Sequence, residues 1–195
     1  MAKLEIAQEK TLKWEGGYCN IKGDKGGETI FGIARAMHPN LKLWNYLDNY
    51  KKALEPFNKS KYKDLEKLCK GNIQFMEEML KFYRENFWNK IKGDQIENQE
   101  SANAIYDFAV NAGVKRAVFE AQRTLNITKD GKIGNQTLTA LNKAGIEFVK
   151  SYCDNRIEFL KRIAKRGSNH KFLKGWLNRV NDFYVLPKEE TTTNS

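Results

Sequence analysis

A mainly α-helical fold with one small β-hairpin is predicted by three features of this sequence. From Ile73 onward, apolar residues recur at Met76, Met79, Leu80, Tyr83, Phe87 and Ile91, the i, i+3, i+4 spacing of an amphipathic helix. Glycine is concentrated rather than scattered: six of the 14 fall between Trp14 and Ala34. Within that stretch, Gly23-Asp24-Lys25-Gly26-Gly27 has hairpin-turn chemistry, because Asp and Gly accept backbone conformations that other residues resist.

Taken in order, residues 3–13 place Leu4, Ala7 and Leu12 among charges, which predicts a first helix, and Gly16-Gly17 ends it. Tyr18 to Ile33 reads as the hairpin, and His38-Pro39-Asn40 marks the next break. The lysine-rich stretch 41–70 is weakly patterned and interrupted by Pro56, so solvated loop or short helices are expected there. Further helices fit residues 100–111, 114–125, 134–143 and 147–166, and an amphipathic segment runs from Phe172 to Val185. Gly93-Asp94 and the polar run after Ile96 mark a boundary that divides the chain into 1–98 and 99–186, whose cores are either separate or shared. Residues 187–195 are expected to be a disordered tail.

Composition narrows the function classes. No apolar run approaches the roughly 20 residues of a membrane span. Met1 to Trp14 lacks the apolar core of a secretory signal, so a chain made in the cytoplasm without a Sec signal is expected. Cys19, Cys69 and Cys153 are distant from one another and from His38 and His170, which predicts incidental thiols, no metal and no disulfide framework. The net charge of +10 favours a polyanionic partner: nucleic acid, an acidic membrane or an anionic cell wall. It peaks at residues 161–179, with seven Lys or Arg and no acid, either a solvated helix face or an anion-facing surface.

The glycine-rich stretch also carries the candidate chemistry. Glu15 stands at a helix end between Trp14 and Tyr18, and shielding by those rings would favour its protonated form, as a general acid requires. Asp24, in the turn, would be wetter and stay ionised, with Thr29 placed to hydrogen-bond a water. Two carboxyls in unlike environments across a cleft are what glycoside hydrolysis uses. The residue types alone also fit an ordinary helix terminus followed by a surface turn.

The run E-G-G-Y-x-N-x-x-x-D-x-G-G-E-T-x-x-G-I, Glu15 to Ile33, resembles the signature of glycoside hydrolase family 108. That resemblance implies a lysozyme-like helical fold and N-acetylmuramidase activity of the bacterial or phage type, including endolysins and secretion-activator proteins. It implies cleavage of the β-1,4 bond between N-acetylmuramic acid and N-acetylglucosamine in peptidoglycan, without cofactor or metal. The family's catalytic acid falls on Glu15, its aspartate before Gly-Gly on Asp24, and its threonine on Thr29. The order Glu, Asp, Thr is also similar to the family 24 phage lysozymes, which usually place five residues between the last two where this chain has four. Family members often read Asn-Asp-Pro where this chain has Asn20-Ile21-Lys22, and Pro where it has Lys25, so loop rigidity is expected to differ. Asp24 is either catalytic or a support for the hairpin. Tyr18, Asn20 and Phe31 border the catalytic residues as candidate sugar contacts, with Tyr18 and Phe31 equally open to core packing.

The second half carries a further resemblance. Tyr106-Asp107-Phe108-Ala109-Val110-Asn111-Ala112-Gly113 is similar to the family's Phe-Asp-x-Ala-Val-Asn-x-Gly segment. Gln122 to Thr137, Q-x-x-L…D-G-x-I-G-x-x-T, resembles helical peptidoglycan-binding modules. Asp107 and Asn111 share a helix face and either line the sugar cleft or serve capping and core hydrogen bonds. Asn126 to Ile133 mimics half of a calcium loop, but position twelve is Thr137 rather than a bidentate glutamate. Trp88 and Trp176 occupy apolar helical positions and are expected in the core.

The expectation is therefore a muramidase with residues 1–98 catalytic and 99–186 peptidoglycan-binding. The alternative is a non-catalytic peptidoglycan-binding or secretion-assisting protein of the same fold. Peptidoglycan, with other anionic wall polymers, is the expected partner of a monomer that neither inserts stably in a membrane nor binds nucleic acid, for which no recognition motif is present. Action in the periplasm or wall, after a holin or a dedicated export route, follows from the resemblance.

Overall fold

The computed structural model describes residues 1–21 and 26–184. The turn residues Gly23, Asp24 and Lys25 and the expected tail at 187–195 lie outside these. The chain forms two compact units, one of Gln8–Glu85 and one of Met1–Ala7 with the chain from Asn86 onward. Helix α1, Leu4–Leu12, begins in one and ends in the other. Mainly helical structure with a small antiparallel sheet is what the sequence predicts and what the described residues form.

In the Gln8–Glu85 unit the sheet has strands β1 (Tyr18–Asn20), β2 (Glu28–Ile30) and β3 (Ile33–Ala34), in that order. Tyr18 pairs with Ile30 and Cys19 with Thr29, while Thr29 also faces Ala34 on the other side. The third strand goes beyond the single hairpin that was expected. It forms because Phe31 and Gly32 both take positive φ, 47° and 81°, a two-residue turn that closes Ile30 onto Ile33. Phe31 gives no turn signal in the sequence, so only Gly32 marked it.

Three helices complete the unit: α2 (Leu43–Ala53), α3 (Tyr62–Gly71) and α4 (Ile73–Tyr83), packed on one another, with α3 also against β1. The stretch 41–70 is thus more ordered than its lysines suggest. Leu43, Trp44 and Leu47 of α2 and Leu65 and Cys69 of α3 are buried, and the lysines occupy the outer faces. A short 3-10 turn, Lys59–Lys61, capped by Asn58, links the two helices after Pro56. Asn72 caps α4 by accepting from the Phe75 amide at 2.6 Å. The buried face of α4 is Phe75, Met79, Phe82 and Tyr83, while Ile73 is 69% exposed. The real stripe is therefore rotated from the one that began at Ile73.

In the other unit the N-terminus is tied down by Ala2, whose amide donates to the Ile96 carbonyl at 2.7 Å, and by Lys3, whose amide donates to Gln99 Oε1 at 2.7 Å. Asn98 caps α5 (Gln99–Ala112), which is buried at every position from Ser101 to Ala109. Such burial on all sides makes α5 the central helix, packed by α6 (Val114–Thr124) and α8 (Glu147–Ala164). Helix α7 (Asn135–Ala144) packs on α8, and α9 (Leu173–Asp182) covers α8 after a 3-10 turn at Gly167–Phe172. Trp88 is fully buried and stacks edge-on against Tyr106, as expected of a core residue. Trp176 is instead only half-buried and lies 5.9 Å from the exposed ring of Phe172.

All three cysteines are free thiols. Among the described residues no helix is long and apolar enough to cross a membrane. No cluster of three His, Cys, Asp or Glu that could hold a metal ion occurs among them either.

Candidate active site

After α1 the chain must turn sharply, and Glu15-Gly16-Gly17 makes the corner. Glu66 of α3 holds it: its Oε1 accepts the Tyr18 amide at 2.8 Å, and its carboxylate lies where any Gly17 side chain would go. The Gly17 carbonyl accepts from the Phe31 amide at 3.2 Å, joining the corner to the β2–β3 turn. Glu15 itself is half-buried. A Cβ added at Gly32 would lie 2.9 Å from Glu15 Oε2 and 2.8 Å from Tyr83 Oη. The Glu15 carboxylate therefore lies across bare turn backbone, beside the hydroxyl that anchors that turn. Tyr83 Oη donates to the Phe31 carbonyl at 2.6 Å.

Thr29 stands on β2, half-buried, its hydroxyl donating to the Gly27 carbonyl at 3.3 Å. Its neighbour Glu28 was not singled out by the sequence, yet it is the electrostatic centre of the sheet. Glu28 Oε1 accepts from Tyr18 Oη at 2.7 Å and from Lys51 Nζ at 2.7 Å, and Oε2 lies 2.9 Å from Arg35 Nε. Arg35 reaches on to Asp48 at 2.8 Å, and its guanidinium covers the Trp44 ring at 4.7 Å. With only 10% of the Glu28 side chain exposed, this network pins β1 and β2 to α2. Its partners are far apart in the chain, and no local pattern announces them.

Asp24 lies outside the described residues. Asn20, at the end of β1, is exposed. Two of the expected sugar contacts are core residues instead. Tyr18 is 5% exposed and wedged edge-on between Phe57 and Tyr62, so its ring has no free face. Burial and then the bond to Glu28 push its phenol well above the usual range. Phe31 is 4% exposed, edge-on to Phe75, with Lys70 Nζ 5.3 Å from its ring. Phe31 serves the corner through its backbone.

In the other unit Asp107 is a correction of the same kind. It is fully buried, and its oxygens accept from Arg156 Nη2 and, at 2.9 Å, from Arg179 Nε, leaving nothing free for a sugar. The Arg156 guanidinium also covers the Phe108 ring at 4.6 Å. Asp107 thus links α5, α8 and α9. Asn111, one turn later, is exposed.

The motif from Gln122 to Thr137 is built around one amide. Gln122 Nε2 lies 2.7 Å from Asp130 Oδ1, 2.9 Å from the Lys132 carbonyl and 3.2 Å from Thr137 Oγ1, while its Oε1 accepts the Gly131 amide at 2.8 Å. Asp130 also accepts the Lys132 amide at 2.9 Å. The Gln122 bond, then that amide, hold the Asp130 carboxyl below its ordinary range. These bonds make the loop a braced turn.

Comparison with known families decides the class. Residues 8–113 match the family model described as Glycosyl hydrolase 108. The chain belongs to the glycosyl hydrolase 108 family. Residues 116–181 match a second model, described as Predicted Peptidoglycan domain. Among solved structures, the chain resembles one titled "Structure of Brucella abortus SagA", with 28% identity, 93% of this chain and 91% of that one covered, and a TM-score of 0.61. No curated protein matches the chain. The glycosyl hydrolase 108 segment contains Glu15, Asp24 and Thr29, and the peptidoglycan segment contains the Gln122–Asp130 loop and Arg156 and Arg179.

Proposed function

We propose that this glycosyl hydrolase 108 protein is an N-acetylmuramidase that cleaves the β-1,4 bond between N-acetylmuramic acid and N-acetylglucosamine, with Glu15 as general acid. The observation that carries the reading is the placement of the Glu15 carboxylate over Gly32, where absence of a side chain leaves it beside bare backbone. A long sugar chain needs such an open approach to a proton donor. Family membership and the peptidoglycan segment support the substrate class.

In this reading Glu15 protonates the glycosidic oxygen as the C–O bond breaks. Asp24 stabilises the oxocarbenium-like centre or activates water, and the Thr29 hydroxyl orients that water. Glu28 and Glu66 act at one remove, by holding the strand and corner in place. The reaction takes place in the periplasm or wall, after holin-type or dedicated export.

Incubation of purified protein with peptidoglycan, followed by mass spectrometry of the new reducing ends, tests this. Muramic acid ends are expected. Glucosamine ends would reassign the bond cleaved, and no new ends would leave a binding or secretion-assisting protein of the same fold.

A further inference from the structure

At the junction of α5 and α6, Ala112, Gly113, Lys115, Arg116 and Phe119 line a groove of about 470 Å³. That size lies within the range of ligand sites. Its apolar part is Ala112 with the ring of Phe119, and its rim is cationic. Lys115 and Lys129 are exposed, and Lys129 Nζ reaches to 5.8 Å from the centre of the Phe119 ring. Arg116 holds its guanidinium 5.4 Å from Phe119 and 4.7 Å from Phe159, with 39% of the side chain exposed. Its acidic partner Glu120 is shared with Arg123, at 3.2 and 3.4 Å, and Arg123 also pairs with Glu158 at 3.1 Å, so the cationic character of the rim comes chiefly from Lys115 and Lys129. Nothing lies within 4 Å of where a Gly113 side chain would begin, and this side of the groove is open backbone.

We propose that this groove binds the stem peptide of peptidoglycan. The inference rests on the peptidoglycan reading above and adds which part of the polymer is held. Stem peptides combine free carboxylates with alanine methyl groups. The carboxylates match Lys115, Arg116 and Lys129, and the methyls match Ala112 and Phe119. A neutral glycan strand would leave Lys115 and Lys129 unmatched, and a polyphosphate would leave the apolar floor unfilled. Helix α6 also opens the segment that matches the peptidoglycan model.

The test is titration of the ¹⁵N-labelled full chain with the tripeptide L-alanyl-γ-D-glutamyl-L-lysine at low salt. Amide shifts are expected at Gly113, Lys115, Arg116 and Phe119. The doubly substituted Lys115→Glu, Lys129→Glu protein should bind about tenfold more weakly, from two reversed exposed charges. The Lys115 stem lies against Gly131, so the free variant should shift in that loop as well, and thermal unfolding of the same preparation shows that the fold is kept. The same peptide with its carboxylates amidated should leave the groove unshifted. No groove shifts at millimolar peptide, equal shifts with the amidated peptide, or equal shifts with chitotetraose or a glycerol-phosphate oligomer would each overturn the proposal. Reducing-end release by the same preparation separates the two readings. Release without groove shifts refutes only the peptide site, and groove shifts without release refute only the muramidase.

Discussion

Gly32 meets two demands at once. Its φ of 81° belongs to the left-handed region, and its missing side chain leaves room for both Glu15 Oε2 and Tyr83 Oη. Gly32→Ala should cost about 1–2 kcal/mol from the backbone alone. It should also displace the Glu15 carboxylate, so activity should fall further than the lost stability explains. Urea unfolding beside turnover measures both, and an alanine variant with wild-type stability and rate would refute this account of the corner. The concentration of glycine was legible in the sequence, because a corner and a tight turn need residues without side chains. The partners were not: Tyr83 and Glu66 reach the corner from elements remote in the chain, and local spacing carries no trace of such contacts. Tyr18 and Phe31 mislead for a related reason, since an aromatic ring beside a candidate catalytic residue looks alike in sequence whether it faces sugar or core.

Two polar assemblies hold elements of the larger unit together. Asp107 is the shared acceptor of Arg156 and Arg179, and removing it would leave two guanidiniums from α8 and α9 without their carboxylate. Asp107→Ala should therefore destabilise the protein by about 3–5 kcal/mol, the usual cost of breaking a buried pair. Chemical denaturation checks this, and a loss below about 1 kcal/mol would show that the network is dispensable. In the braced loop, Asp130 has a depressed pKa, so it contributes stability above the ordinary aspartate range and loses it as pH falls through the depressed value. Since the Gln122 bond is the first cause, Gln122→Ala should return the Asp130 titration upward towards the ordinary aspartate range. A carboxyl-detected NMR titration reads it directly, and an unmoved midpoint would assign the depression elsewhere. Helix periods were legible from α5 to α9. Between residues 41 and 70 the lysines and Pro56 obscured α2 and α3, although their buried residues, Leu43, Trp44 and Leu47 in one and Leu65 and Cys69 in the other, do fall at helical spacing.

Across the whole molecule the net charge is +10, and its densest part is exposed. Lys161, Arg162, Lys165, Arg166, Lys171 and Lys174 all face solvent, whereas Arg179, in the same run, is spent on Asp107 inside. Changing Lys165, Arg166 and Lys171 to Glu should weaken sedimentation with cell walls, most clearly at low salt. Exposed charges are screened beyond about 10 Å at 0.1 M, so the difference should shrink as salt rises. Unchanged binding at low salt would make this run only a solvated face. The sequence showed the charge run but not that one of its arginines belongs to the core.

Glu15 is the residue on which the proposed chemistry turns. Glu15→Gln keeps the shape and hydrogen-bonding capacity of the side chain but removes the proton that a general acid transfers. With thermal unfolding recorded on the same preparations, the variant should fold as the wild type does. It should release muramic acid reducing ends about 10²–10⁴-fold more slowly. A folded Glu15→Gln protein that cleaves peptidoglycan at the wild-type rate would contradict the assignment and leave the glycine-rich corner as architecture alone.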